Sequence, residues 1–177
     1  MRKDMEQVVL VDRDDRRIGL MEKMEAHRKA ALHRAFSVFV FNERGETMLQ
    51  RRALGKYHSP GLWTNTCCSH PRDGESAVDA ATRRLTEEMG FTAPLSPAFT
   101  FLYKADVGQG LTEHEFDHVL FGEYTGEPRL NPEEVMEWKW MALDDIARSM
   151  ETEPESYTVW FRIAFPKVRE YLEKDQR

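Results

Sequence analysis

Cysteine is close to absent from this chain: Cys67 and Cys68 are the only two among 177 residues, and they are neighbours. Adjacent cysteines pair with each other only through a strained ring, which excludes a disulfide framework and leaves both thiols free. Long apolar runs are missing too. Phe36 to Phe41 is among the longest, far short of the roughly 20 residues that a membrane-spanning helix needs. The opening MRKDMEQ is charged with no apolar segment behind it, unlike a secretory signal. A soluble, cytoplasmic protein with no membrane partner is expected. Positive charge is in deficit, with 25 Lys and Arg against 31 Asp and Glu and a net charge of -6. No basic run is long enough to track a nucleic-acid backbone, so no nucleic-acid partner is expected. Internal repeats, low-complexity tracts and linkers are also lacking. The 177 residues therefore read as one domain, with an N-terminal extension over residues 1–30 or so and C-terminal helices over residues 143–174 or so. At 41% hydrophobic residues the chain can bury one real core.

What is present has mixed periodicity. Glu6 to Asp12 reads as a strand, followed by a polar turn. The stretch MEKMEAHRKAALHRA has helical composition, yet His27 and His33 stand six apart, a separation that a regular helix turns to different faces, so part of it is expected to be loop. RAFSVFVFN and ETMLQRRAL are β-rich runs around Asn42-Glu43-Arg44-Gly45, a hairpin with its glycine where a positive φ is wanted. From Glu75 to Met89, Ala77, Val78, Ala81, Leu85 and Met89 form a helical stripe that Gly90 ends. Strands are expected at Ala98 to Ala105, His114 to Tyr124 and Glu137 to Met141. The tail reads as helix with Pro166 as a kink or break. Together these elements predict a mixed α/β (α+β) layer fold.

Three constellations could carry chemistry. On the helix, Arg83, Arg84, Glu87 and Glu88 have a plain reading as a salt-bridged, solvated face. Their order, however, from Glu75 through Arg83-Arg84-Leu85-Thr86-Glu87-Glu88-Met89-Gly90-Phe91, resembles the Nudix box, whose helix carries glutamates that hold a divalent cation against a diphosphate, and hard oxygen ligands suit Mg²⁺. Two positions depart from it: Arg84 stands where a glutamate belongs and Ser69 where the leading glycine belongs. Diphosphate binding survives the comparison, whereas hydrolysis has lost a carboxylate. The second constellation, His114-Glu115-Phe116-Asp117-His118, formally matches the zinc-protease pattern H-E-x-x-H, which requires a helix. Its β-branched and aromatic surroundings predict a strand. Residues four apart on a strand are about 13 Å apart, too far for one ion. The same strand turns Glu113, Glu115 and Asp117 to one face and His114, Phe116 and His118 to the other. Third are the histidines. Singly, each is more often surface or satisfied core than a ligand; taken with Glu113 and Glu115, His27, His33 and His70 would make a donor set for Zn²⁺, Mn²⁺ or Fe²⁺. Periodicity does not bring them together.

The ordered set AHRKAALHRAFSVFVFN, RRALGKYHSPGLWTNTCCSHP, RRLTEEMGF, Tyr103 ahead of Glu113-His114-Glu115, and the late Trp160 resembles type I isopentenyl-diphosphate isomerase, a Nudix-fold enzyme, from Lys23 through Trp160. The resemblance implies a Nudix-like mixed β-sheet sandwich with flanking helices. The implied reaction is the interconversion of isopentenyl and dimethylallyl diphosphates through a tertiary carbocation. It implies Cys68 and Glu115 as acid-base residues on opposite faces of the substrate, Tyr103 assisting at Glu115, and Trp160 with its indole against the cation. His27, His33, His70, Glu113 and Glu115 would hold one Mn²⁺ or Zn²⁺, and Glu88 a Mg²⁺ on the diphosphate. Lys23, Arg52, Lys56 and Arg84 match the family's diphosphate contacts. The segment between His27 and His33 is one residue shorter than the family pattern. The expected partner is the small-molecule substrate, and the expected state a monomer or weak homodimer. Alternatives from the residues themselves are a Nudix hydrolase, which leaves Cys68 and Trp160 unused, and a non-catalytic binding module in which both cysteines are core residues. Cys67 is assigned to packing.

Overall fold

The computed structural model describes residues 6–175. Its strands join in one mixed sheet: β1 (Gln7–Val11), β2 (Arg17–Glu22), β3 (His33–Phe41), β4 (Thr47–Arg52), β5 (Trp63–Thr64), β6 (Cys67–Ser69), β7 (Leu95–Gly108), β8 (Leu111–Glu123) and β9 (Val135–Met141). The helices are α1 (Lys23–Lys29), α2 (Ala77–Met89), α3 (Leu143–Thr152) and α4 (Val159–Asp175). Alternation along β3 sorts the core into two layers. Phe36, Val38 and Val40 face α2, where they pack with Ala81, Leu85 and Met89. Phe39 faces the other way, onto Phe161, Phe165 and Val168 of α4 and Ile146 of α3. The sheet is therefore buried between helices on both sides, which is why β3 reads as a nearly continuous apolar run.

The long strands, α2 and the C-terminal helices fall where periodicity puts them, with shifted ends. Helix α2 begins two residues later than expected because Ser76 caps it, its Oγ accepting from the Asp79 N–H at 3.1 Å; such a cap contributes about 1 kcal/mol. Gly90 ends it at φ 70°, and a Cβ there would lie 2.5 Å from the Arg129 carbonyl oxygen, so only glycine fits. Pro166 does not break the tail: α4 runs through it, losing only one backbone donor toward Arg162, while Phe161, Phe165 and Val168 hold the two halves on one core. Residues 7–22 are an antiparallel hairpin whose β1 also pairs with β3, Leu10 opposite His33, with Val8, Val9 and Val11 buried. Strand β2 escapes pattern reading because its Ile18 and Leu20 are exposed on the outside of that hairpin.

The β3–β4 hairpin turns as expected, with Gly45 at φ 74° and the Asn42 side chain accepting from the Arg44 and Glu46 N–H groups. Its strands then part after Phe41–Thr47, the one pair they share. Thr64-Asn65-Thr66 fills the opening. Thr66 Oγ1 accepts from Val40 N–H and donates to the Met48 carbonyl, and Asn65 Nδ2 donates to the carbonyls of Val38 and Cys67. These side chains replace missing ladder bonds. They also set β6 beside β3, with Ser37 opposite Cys68.

Candidate active site

Strand register builds one side of the site. Glu115 on β8 lies opposite His33 on β3 and opposite Tyr103 on β7, so three neighbouring strands present a lateral row His33, Glu115, Tyr103. Period-two alternation adds Glu113 and Asp117 to the same face, all three carboxylates being buried. His114 and His118 turn the other way, to the Ala30 carbonyl and to Asp15, so the protease-like pattern is not a metal site. His27 arrives from the end of α1. Ala30, at φ 53°, stops that helix in the left-handed region, which costs a non-glycine residue about 1–2 kcal/mol, and this turn lets His27 and His33 converge with ring centroids 5.3 Å apart. His70 follows β6 and reaches the same spot, 4.9 Å from the His33 ring.

Donor atoms of His27, His33, His70 and Glu113 lie within 4.8 Å of one another. Glu115 joins them through Oε2, at 3.2 Å from His33 Nε2 and 2.9 Å from His70 Nε2. His27 Nδ1 donates to the Lys23 carbonyl (2.6 Å) and His33 Nδ1 to the Ala31 carbonyl (2.9 Å), which turns both Nε2 atoms inward. Oε2 of Glu113 is buried with no hydrogen-bond partner among the described residues. Three imidazoles and two carboxylates, one of them with an orphaned oxygen, are a donor set that fits a divalent cation. Burial opposes ionisation of Glu113, but hydrogen bonds from His27 and His58 hold its carboxyl well below the usual range. Glu115 is likewise pushed up by burial and by Glu113, and held below the usual range by His33 and His70. Both enter as carboxylates, the form a cation needs.

Cys68 faces the same hollow from β6. A small cavity is lined by Cys68, Tyr103, Glu115, His58, Arg52 and Trp160. The thiol donates to Asn65 Oδ1 at 2.9 Å. That amide is oriented by its two carbonyl acceptors and by Thr64, whose hydroxyl also donates to Oδ1. Burial and the neighbouring Asp117 push the Cys68 thiol up to about 12, so it is protonated at neutral pH. Tyr103 donates a hydrogen bond to Glu115 Oε1. Trp160, on the first turn of α4, closes the cavity; it is 5% exposed and the Arg52 guanidinium lies over its ring at 5.1 Å. A larger hollow, about 820 Å³, opens elsewhere, between the β3–β4 turn, β8 and the end of α4, but gathers none of this chemistry.

Of the cationic residues, Arg52 lines this cavity, whereas Lys23, Lys56 and Arg84 are not among its lining. Arg52 donates to the carbonyls of His58 and Ser59. Lys23 pairs with Glu6 at 2.7 Å and lies over the Tyr57 ring, which Lys56 also approaches. Lys56 pairs with Glu134 at 2.6 Å, and Arg84 reaches Glu87, Glu88 and Glu134. Glu88 is not part of the histidine cluster. It is buried beside Cys67, whose thiol donates to Glu88 Oε2 at 3.1 Å, so Cys67 holds a carboxylate as well as packing in the core. Sequence reasoning gave no role to His58, buried and 2.9 Å from Glu113 Oε1, or to Asn65.

A NUDIX domain pattern matches residues 31–161. The chain is 52% identical over 163 residues to isopentenyl-diphosphate Delta-isomerase 2 of Aromatoleum aromaticum, covering 92% of this chain and 86% of that protein. It is 48% identical over 165 residues to the isopentenyl-diphosphate Delta-isomerase of Pectobacterium atrosepticum, covering 93% and 92%. The chain belongs to the isopentenyl-diphosphate isomerase family. Among solved structures, a Deinococcus radiodurans protein superposes with a TM-score of 0.78 over 92% of this chain and 98% of its own, at 17% identity, which shows a shared fold. The isomerase family thus uses a Nudix scaffold here whose box is altered at Arg84. That guanidinium occupies the glutamate's place and is tied to Glu87 and Glu88. No helix of the described residues is long and apolar enough to cross a membrane.

Proposed function

We propose that this chain interconverts isopentenyl and dimethylallyl diphosphates by a 1,3-allylic proton shift, with Cys68 and Glu115 as its acid-base pair. One observation carries the assignment of residues: a protonated thiol and an ionised carboxylate face the same small cavity, closed by Trp160. An unactivated alkene must gain a proton at its terminal methylene and lose one from the methylene between the cationic carbon and the oxygen-bearing carbon. The first transfer converts the π pair into a C–H bond and leaves a tertiary carbocation; the second returns a C–H pair to the new double bond. In the resting chain Cys68 is the group that holds a proton and Glu115 the group that can accept one, with Tyr103 hydrogen-bonded to it. The reverse reaction exchanges their roles.

His27, His33, His70, Glu113 and Glu115 would hold Mn²⁺ or Zn²⁺, and Glu88 would hold Mg²⁺ against the diphosphate. Bound at the cluster, the ion would supply positive charge that keeps Glu115 ionised and tunes its proton affinity. Lys23, Arg52, Lys56 and Arg84 would bind the diphosphate, which requires Glu134 to yield Lys56 and Arg84. The enzyme in this reading is cytoplasmic, a monomer or weak homodimer with the small-molecule diphosphate as its partner.

Incubating the chain with isopentenyl diphosphate, Mg²⁺ and Mn²⁺ in D₂O and following it by NMR tests the reading. Dimethylallyl diphosphate carrying deuterium in a methyl group is expected. Phosphate release would instead indicate the hydrolase, and an unchanged substrate would remove the enzymatic reading. Trp160 makes a second test. An indole face stabilises a desolvated cation by about 2 kcal/mol, about thirtyfold in rate. Trp160→Ala should lose at least that factor in kcat, and Trp160→Phe should retain part of it. An alanine variant as fast as the parent would remove the cation-stabilising role.

A further inference from the structure

His58 sits at the edge of the metal cluster without belonging to it. Its Nε2 is 2.9 Å from Glu113 Oε1, an oxygen that also lies 2.8 Å from His27 Nε2. The partners of each Nδ1 distinguish the two rings. His27 Nδ1 faces the Lys23 carbonyl, which only accepts, so Nδ1 carries the hydrogen and the neutral ring has a bare Nε2. His33 follows the same rule at the Ala31 carbonyl. His58 Nδ1 instead faces Ser59 Oγ at 3.2 Å, a hydroxyl that can donate as well as accept, so this ring is free to carry its hydrogen on Nε2, where Glu113 Oε1 only accepts. A cation on the cluster would take the Nε2 lone pair of His27, which could then no longer donate to Glu113. His58 would be the histidine still able to do so.

We propose that His58 is a positioning residue for the metal centre: its Nε2–H holds Glu113 Oε1 and thereby directs the unpartnered Oε2 of Glu113 to the cation. This inference rests on the metal-centre reading above. The geometry is that of a ligand held by an outer hydrogen bond, which fixes carboxylate rotation and raises ligand occupancy. Oε2 is 3.7 Å from His33 Nε2, on the cluster side of the carboxylate. The His58 ring also packs edge-on against Trp160, centroids 5.4 Å apart at 82°, which limits rotation of the imidazole. His58 is 3% exposed, so water does not compete for its N–H.

The test uses the full chain, stripped of metal and titrated with Mn²⁺, the free ion being read by electron paramagnetic resonance. His58→Leu keeps volume and removes the donor, and should weaken Mn²⁺ binding about 10–100-fold, the usual cost of losing such a partner. His58→Gln retains an N–H donor and should recover most of the affinity, an outcome that a packing role alone would not produce. Ser59→Ala, which releases the tautomer without touching the ring, should weaken binding by a smaller factor. KM for isopentenyl diphosphate should stay near the parent value in all three while kcat follows metal occupancy. Parent-like Mn²⁺ affinity in His58→Leu, or in Ser59→Ala if the leucine variant does not fold, would overturn the proposal. So would a glutamine variant as weak as the leucine one. A parent chain that binds no Mn²⁺ would overturn the metal-centre reading itself.

Discussion

Cys68→Ala is expected to lower kcat for isomerisation by about a thousandfold or more, equivalent to about 4 kcal/mol, with substrate binding close to the parent's. The thiol is the proton-bearing group that β6 presents to the cavity, and alanine cannot give or take a proton there. Its backbone place on β6, held by the Asn65 and Thr66 side chains, does not depend on the sulfur, so the fold should survive. Cys67→Ala is the matched control. It deletes a buried atom and one hydrogen bond to Glu88, which should cost about 1–2 kcal/mol of stability, visible in the thermal midpoint, and leave most of the activity. Steady-state kinetics on the two variants separates them. Equal loss of kcat in both would sink the assignment of Cys68.

Glu115→Gln is expected to be as damaging for activity and, unlike the cysteine variant, to lower metal affinity as well. Glu115 occupies the centre of the His33, Glu115, Tyr103 row, and its Oε2 faces two histidine nitrogens while Oε1 accepts from Tyr103. The amide keeps the shape, cannot accept a proton at neutral pH, and brings no negative charge to the cluster. A kcat loss of about a thousandfold is the expected scale for an acid-base group, and Mn²⁺ titration should show weaker binding. Tyr103→Phe removes the phenol from Oε1 but none of the proposed metal donors, so kcat should fall with Mn²⁺ affinity unchanged. Isomerisation by Glu115→Gln within tenfold of the parent would remove the carboxylate from the proton transfer.

Much of the site was legible from local pattern because strand geometry is local. Alternation along residues 113–118 separates the carboxylates from His114 and His118 and excludes the protease pattern, and the structure has that alternation. The helix stripe from Ala77 to Met89 and its glycine stop followed from period and cap chemistry in the same way. The order of rare residues, two cysteines followed by a histidine, the altered box, Tyr103, Glu113-His114-Glu115 and Trp160, was enough to point to the isomerase family. Strand β2 was not legible, since its apolar side chains face outward, nor were the two- and three-residue strands β5 and β6. These are too short to carry a period, and their pairing rests on Asn65 and Thr66 side chains from one segment closing gaps between two others.

Contacts distant in sequence lie beyond any such pattern. The sequence by itself determined which residue types are present to hold a cation, carry a proton and bind a diphosphate, because those are properties of side chains and of spacing within one element. Only the tertiary structure decided that His33 and Tyr103 flank Glu115 on adjacent strands, that His58 lies beside Glu113 from a loop 55 residues away, and that Cys67 turns to Glu88 while Cys68 turns to the cavity. Register across strands and the stop of α1 at Ala30 are settled by packing between segments. They are set by burial of whole faces, a free energy that no single stretch of the chain contains.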